Sequence, residues 1–151
     1  MNMQQRKWLY HKTPLWINNS EERFFITVCV DRKTGFLLTN EKIAKPLLET
    51  IDFGENRRDF YAYLFLIMPD HVHGLFSFGN ANKPFEKIIA NWKRQTTRMF
   101  GIPWQKGFFD HRLRNDSSFS EKASYIRENP VRKGLCAQHE EWPWVIDKHN
   151  R

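Results

Sequence analysis

The chain has 151 residues, of which 40% are hydrophobic and 27% charged, with seven Gly and seven Pro. That is the length and composition of about one folded domain whose core needs neither disulfides nor a structural metal, which excludes disordered, fibrous and multi-module proteins. Its 24 Lys and Arg against 17 Asp and Glu leave a net charge of +7, which points to a polyanionic partner, nucleic acid first.

Residues 1–22 read as an N-terminal extension, about 23–135 as the core and 136–151 as a tail of one domain, 1–151. Met1 to Tyr10 carries basic residues but no following apolar stretch of signal-peptide length. The longest apolar run, Tyr61 to Met68, is too short to cross a bilayer, so no membrane partner is expected. Cys29 and Cys136 form no CxxC pair, and the expectation is a cytoplasmic chain with two buried thiols.

Arg23 to Val30 (RFFITVCV), dense in aromatic and β-branched residues, predicts a buried strand, and Asp31 to Gly35 a turn. Thr39 can cap a helix over Glu41 to Phe53, with Ile43, Leu47, Leu48 and Ile51 on one face and Pro46 bending or restarting it. Phe60 to Met68 and Val72 to Phe78 then predict an antiparallel pair turning at Pro69-Asp70. Over Lys83 to Phe100 a helical wheel gathers Phe85, Ile88, Ile89, Trp92, Thr96, Met99 and Phe100 on one arc and Lys83, Lys87, Arg94 and Arg98 on the other. The stretch from Lys83 to Arg114 has eight basic residues against Glu86 and Asp110 alone. Trp104 to Arg114 predicts a fourth strand, and Ser118 to Glu121 a capping box opening a last helix that ends near Asn129, before Pro130. The order βαββαβα begins with the six elements of a ferredoxin-like α+β fold, an antiparallel sheet with two helices on one face.

His71-Val72-His73 opens a predicted strand, where residues two apart share a face, so both imidazoles can approach one metal ion or simply sit hydrogen-bonded at a strand end. Tyr125 and Asn129, four apart on the last helix, share a helix face. The stripe Lys83, Lys87, Arg94 and Arg98, with Arg112 and Arg114, suits a phosphate backbone, the alternative being a solvated face. Phe85, Trp92 and Phe100 are read as core rather than base-stacking groups.

Three ordered segments, Met68 to Leu75 (MPDHVHGL), Trp104-Gln105 with Phe109 to Arg114 (FDHRLR), and Tyr125 to Leu135 (YIRENPVRKGL), resemble the single-tyrosine HUH transposases, and among them the REP-associated tyrosine transposases. The resemblance spans roughly Arg23 to Trp144. It implies an HUH endonuclease core, a divalent ion held by His71 and His73 with Asn129 as third ligand, and Tyr125 as the nucleophile that cuts single-stranded or hairpin DNA through a 5′-phosphotyrosine. Imidazole favours Mn²⁺ or Zn²⁺, while amide and phosphate oxygens suit Mg²⁺ or Mn²⁺, so Mg²⁺ or Mn²⁺ is expected. The family motif also sets Asp110-His111 on the strand leading toward the tyrosine helix, either as supporting groups of the site or with Asp110 merely pairing Arg112 or Arg114. No base-reading motif is matched in residues 1–22. Two rival functions stand beside the transposase-like one: a hairpin-binding protein without turnover, and a metal-dependent phosphohydrolase using His71 and His73. A monomer and a homodimer are equally compatible with the sequence.

Overall fold

A computed structural model describes residues 14–17, 22–79 and 83–149. The readings of Met1 to Tyr10, and of most of the extension, lie outside the described residues. Five strands build one sheet: β1 (Arg23–Cys29), β2 (Tyr61–Ile67), β3 (His71–Ser77), β4 (Phe109–Leu113) and β5 (Val145–Asp147). Four α-helices accompany them among the described residues: α1 (Glu41–Asn56), α2 (Phe85–Phe100), α3 (Asp116–Arg127) and the single turn α4 (Asn129–Arg132). The strand order is β4-β1-β3-β2-β5, with every neighbouring pair antiparallel. The predicted α+β architecture, a ferredoxin-like core followed by a tyrosine-bearing helix, is the one observed.

Alternation along β1 and β3 divides the interior. Phe24, Ile26, Val28, Val72 and Phe76 pack under α1 and α2 with Leu47, Ile51, Ile88, Ile89 and Trp92. On the other face Leu64, Leu66 and Leu75 meet Phe119, Ala123 and Ile126 of α3. Strand β2 is buried throughout because both faces are covered, and a register shift between Ala62 and Leu64 puts Tyr63 and Leu64 on the same side. Gly74 leaves room for the Phe76 ring, whose edge would collide with any Cβ there. The site-bearing strand is therefore central and packed from both sides.

Several boundaries differ from the sequence reading. The cap of α1 is Asn40, not Thr39: its side chain accepts from the Lys42 amide at 3.0 Å. The helix runs unbroken across Pro46, held by the buried Ala44, Leu47 and Ile51 on its core side. The last long helix opens three residues early, because Asn115 accepts from Ser118 N at 2.8 Å and outcompetes the predicted box. That helix ends at Arg127, and α4 begins at Asn129 with Pro130 inside its first turn, where a missing N–H costs nothing. Trp104 makes only an isolated bridge to Val30, since Gly107 at φ 78° turns the chain before β4. Met99, expected on the packing face of α2, is 57% exposed at the helix end.

The tail forms part of the sheet. Strand β5 pairs with β2, the Trp142 indole donates to the Ile67 carbonyl at 3.0 Å, and Arg127 grips Asp147 at 2.6 Å. Both cysteines are free and half-buried rather than fully buried. Among the described residues no helix is long and apolar enough to cross a membrane.

Candidate active site

Strand β3 presents His71 and His73 on the α3 face and sends Val72 into the α1/α2 core, as the period of two requires. The two Nε2 atoms stand 3.1 Å apart, with ring centroids 4.5 Å apart and planes at 69°. Each remote nitrogen has its own partner. His71 Nδ1 donates to the Asp70 carboxylate at 2.7 Å, and His73 Nδ1 lies 2.9 Å from the Thr27 hydroxyl, which the β1–β3 register sets directly opposite. With its Nδ1 proton committed to Asp70, neutral His71 keeps a lone pair on Nε2.

Asn129 is buried, and its amide nitrogen is 3.4 Å from His71 Nε2. The helix break at Glu128 falls between Tyr125 and Asn129, yet Glu128 keeps helical dihedrals, so the four-residue spacing still brings both to this face. Tyr125 is half exposed. Its ring is flanked by two cations: the Arg132 guanidinium carbon lies 4.0 Å from the ring centroid and Lys122 Nζ 5.2 Å from it. Arg132 also donates to the Tyr125 carbonyl at 2.7 Å.

Electrostatics follow from this crowding. Burial pushes the His73 imidazole down to about 3, with further pressure from His71, Lys122 and Arg132. His73 is therefore neutral at any ordinary pH. Partial burial raises the Asp70 carboxyl, but the hydrogen bond and electrostatic attraction of His71 and the charge of Arg32 outweigh it and hold Asp70 below its usual value.

Not every residue singled out in the sequence gathers here. In the β1–β4 register His111 pairs with Phe25 and shares its face, on the site side, whereas Asp110 pairs with Ile26 on the opposite side. The Asp110-His111 dipeptide is thus split by the sheet, and Asp110 cannot support the histidines. Arg112 lies on the far side too, over the Phe24 ring and paired with Glu22 at 3.3 Å. Lys83, Lys87, Arg94 and Arg98 are solvent-exposed, along the outer side of α2 or just ahead of it, across the sheet from the imidazoles. Arg114 is exposed just beyond β4. A cavity of about 300 Å³ between α1 and α2 lies on that far face and contains none of the four central side chains.

Thr27, Asp70, Lys122 and Arg132 were missed by the sequence reading. Lys122 and Arg132 stand three before and seven after Tyr125, spacings that share a helical face and could have been noticed. Thr27 has no such signal, because only strand pairing brings it to His73. Among the described residues no cluster of three or more His, Cys, Asp or Glu is arranged to hold a metal. The donor set that does converge is two imidazoles and one carboxamide.

No protein-family model matches the chain. It is 27% identical over 123 residues to the REP-associated tyrosine transposase of Escherichia coli K12, covering 80% of this chain and 73% of that protein. A putative REP-associated tyrosine transposase of Haemophilus influenzae is 28% identical over 140 residues, covering 80% and 77%. A solved REP-associated tyrosine transposase bound to a REP hairpin superposes with a TM-score of 0.72 at 25% identity, over 88% of this chain and 79% of that one. A putative transposase from Deinococcus radiodurans shares the fold, with a TM-score of 0.52 at 12% identity over 77% of this chain and 95% of that one. In sequence and in fold, this chain is related to the REP-associated tyrosine transposases, the family its three motifs resemble.

Proposed function

We propose that the chain is a transposase-like enzyme that cuts and rejoins single-stranded DNA near hairpins, with Tyr125 as nucleophile and His71, His73 and Asn129 holding a divalent cation. One observation carries this reading: two imidazoles and a carboxamide converge within 3.1 to 3.4 Å, on the face that carries a half-exposed tyrosine one helical turn before that carboxamide. The relatives named as transposases, one of them solved with a REP hairpin, support the substrate class.

The donor set fits a divalent ion. Hydrogen-bond partners on the remote nitrogens are what orient metal-ligating histidines, and Asp70 and Thr27 fill that role. A separation of 3.1 Å between the Nε2 atoms suits two neighbouring ligands of one ion bonded at about 2.1 Å. The buried His73 is held neutral, the form that ligates. Asn129 offers its oxygen by a flip of the amide, and with it the set accommodates Mn²⁺ or Mg²⁺. A bound ion supplies Lewis-acid polarisation of a phosphoryl oxygen.

The chain's own chemistry balances without an energy source. The Tyr125 phenol oxygen bonds to phosphorus as the bond from phosphorus to the 3′ oxygen breaks. That oxygen leaves as a hydroxyl, taking up the proton that the phenol gives up, and the 5′ end stays on the tyrosine. Attack by another 3′ hydroxyl reverses the exchange and joins strands.

Incubating the protein with labelled, hairpin-bearing single-stranded DNA and Mn²⁺, followed by a denaturing gel, tests the reading. The expected result is a covalent protein–DNA adduct that Tyr125→Phe abolishes while DNA affinity stays within a few-fold. Cleavage without adduct favours the phosphohydrolase, and intact DNA favours the binding protein.

A further inference from the structure

Basic side chains around the site fall into two groups. Arg23 pairs with Asp116 at 2.9 Å, Arg127 with Asp147 at 2.6 Å and Lys148 with Glu55 at 2.7 Å, so each of these cations is matched within the fold. Lys122 and Arg132 are not: among the described residues neither forms an ion pair with a carboxylate. Both lie against the Tyr125 ring, at 5.2 and 4.0 Å from its centroid. Arg132 is placed by two contacts at once, its guanidinium over the ring and a hydrogen bond to the Tyr125 carbonyl, which tie α4 to the end of α3. Lys122 is half-buried, its ammonium 4.7 Å from the Phe25 ring.

Two cations that form no ion pair among the described residues converge on one exposed phenol, and the carboxylate of the site, Asp70, is already bound to His71, which leaves a local positive field beside the phenol. A phosphodiester brings one negative charge, and an attacking phenol oxygen is repelled by it unless that charge is offset. A planar guanidinium and an ammonium are the two groups suited to a phosphate, the first by paired hydrogen bonds and the second as a point charge.

We propose that Lys122 and Arg132 form a phosphate subsite that holds the scissile phosphodiester against Tyr125, with Arg132 also fixing the orientation of the ring. This rests on the reading of Tyr125 as the nucleophile. The competing assignment is structural: Arg132 as a brace for the end of α3, and Lys122 as a lid on Phe25.

The experiment uses the full chain, a fluorescent hairpin-bearing single-stranded oligonucleotide and Mn²⁺, with Lys122→Gln, Arg132→Gln, Arg132→Lys and the double Gln variant. In a Tyr125→Phe background the double variant should bind more weakly and lose about 0.7 from its log–log salt slope, the value of one single-strand phosphate contact. With Tyr125 present, each Gln variant should lower adduct yield at least about tenfold at unchanged melting temperature, roughly the effect of one lost charge-assisted contact. Arg132→Lys should keep the salt slope but form adduct poorly, because an ammonium does not stack as a plane. An unchanged slope overturns the subsite, as does adduct loss that merely follows a lowered melting temperature. If the parent chain forms no adduct, the nucleophile reading fails, and the salt slope alone then decides whether Lys122 and Arg132 hold phosphate.

Discussion

Tyr125 is open to solvent while His73 and Asn129 are buried, so the three answer substitution differently. His71→Ala and His73→Ala should each remove Mn²⁺-dependent cleavage in protein that remains folded. Asn129→Ala should lose less, because water can take the place of one oxygen ligand on a six-coordinate ion. Cleavage and melting temperature measured on the same three variants check this: a folded His73→Ala protein with full activity removes the two-histidine site. The depressed pKa of His73 predicts a second behaviour in metal-free protein. An unfolded chain takes up a proton at His73 near pH 6.5, the folded one only near 3, so the unfolded state binds more protons between those values. Stability is then full above about pH 6.5 and falls toward pH 3, by at most about 1.4 kcal/mol per pH unit from this group. Denaturant melts across that range on the parent and on His73→Ala provide the check, with the variant showing the shallower acid slope.

The most basic helix and the candidate site of His71, His73 and Asn129 occupy opposite faces of the sheet, since Ile88, Ile89 and Trp92 pin α2 to the side that Val72 enters. A strand bound at Tyr125 would have to wrap an edge of the sheet to meet Lys87, Arg94 and Arg98. Phe109, 68% exposed on edge strand β4 and opposite Thr27 in register, faces the site side along such a path. Replacing Lys87, Arg94 and Arg98 together by Ala should weaken binding of single-stranded DNA and reduce its salt slope by up to about two units, at roughly 0.7 per phosphate contact. Adduct formation at saturating DNA should survive, because none of the three touches the phenol or the imidazoles. An unchanged slope returns the stripe to a solvated helix face.

At the scale of the whole molecule, the tail closes the β2 edge and ties itself to the helix that carries Tyr125. Arg127 sits two residues after Tyr125, and its bidentate pair with Asp147, at 2.6 and 3.3 Å, joins α3 to β5. Both side chains are mostly buried, so Asp147→Ala leaves a guanidinium without its partner and should cost about 3 kcal/mol. Chemical denaturation of the variant measures it, and a loss under about 1 kcal/mol places the pair among solvent-screened surface bridges instead. Adduct yield of the folded fraction should fall as well, since the anchor of the tyrosine helix is loosened.

Local pattern was enough for the βαββαβ core, for the two histidines on one strand face and for the Tyr125–Asn129 spacing, because strand and helix periods determine which side chains share a face within one element. The caps shifted because Asn40 and Asn115, each adjacent or near to the expected residue, had the side-chain reach that the backbone amides needed. Strand β5 was illegible because three residues, Val145–Asp147, hold no period, and pair only when Trp142 and Arg127 deliver them to β2. What belongs to different elements was decided by tertiary structure alone. Strand register carried Thr27 to His73 and placed Asp110 on the wrong side of the sheet, while the side of the sheet against which α2 packs separated the basic stripe from the site. The physical reason is that a face is a property of one element's repeat, whereas a neighbour across the sheet exists only once burial of both faces has set the register.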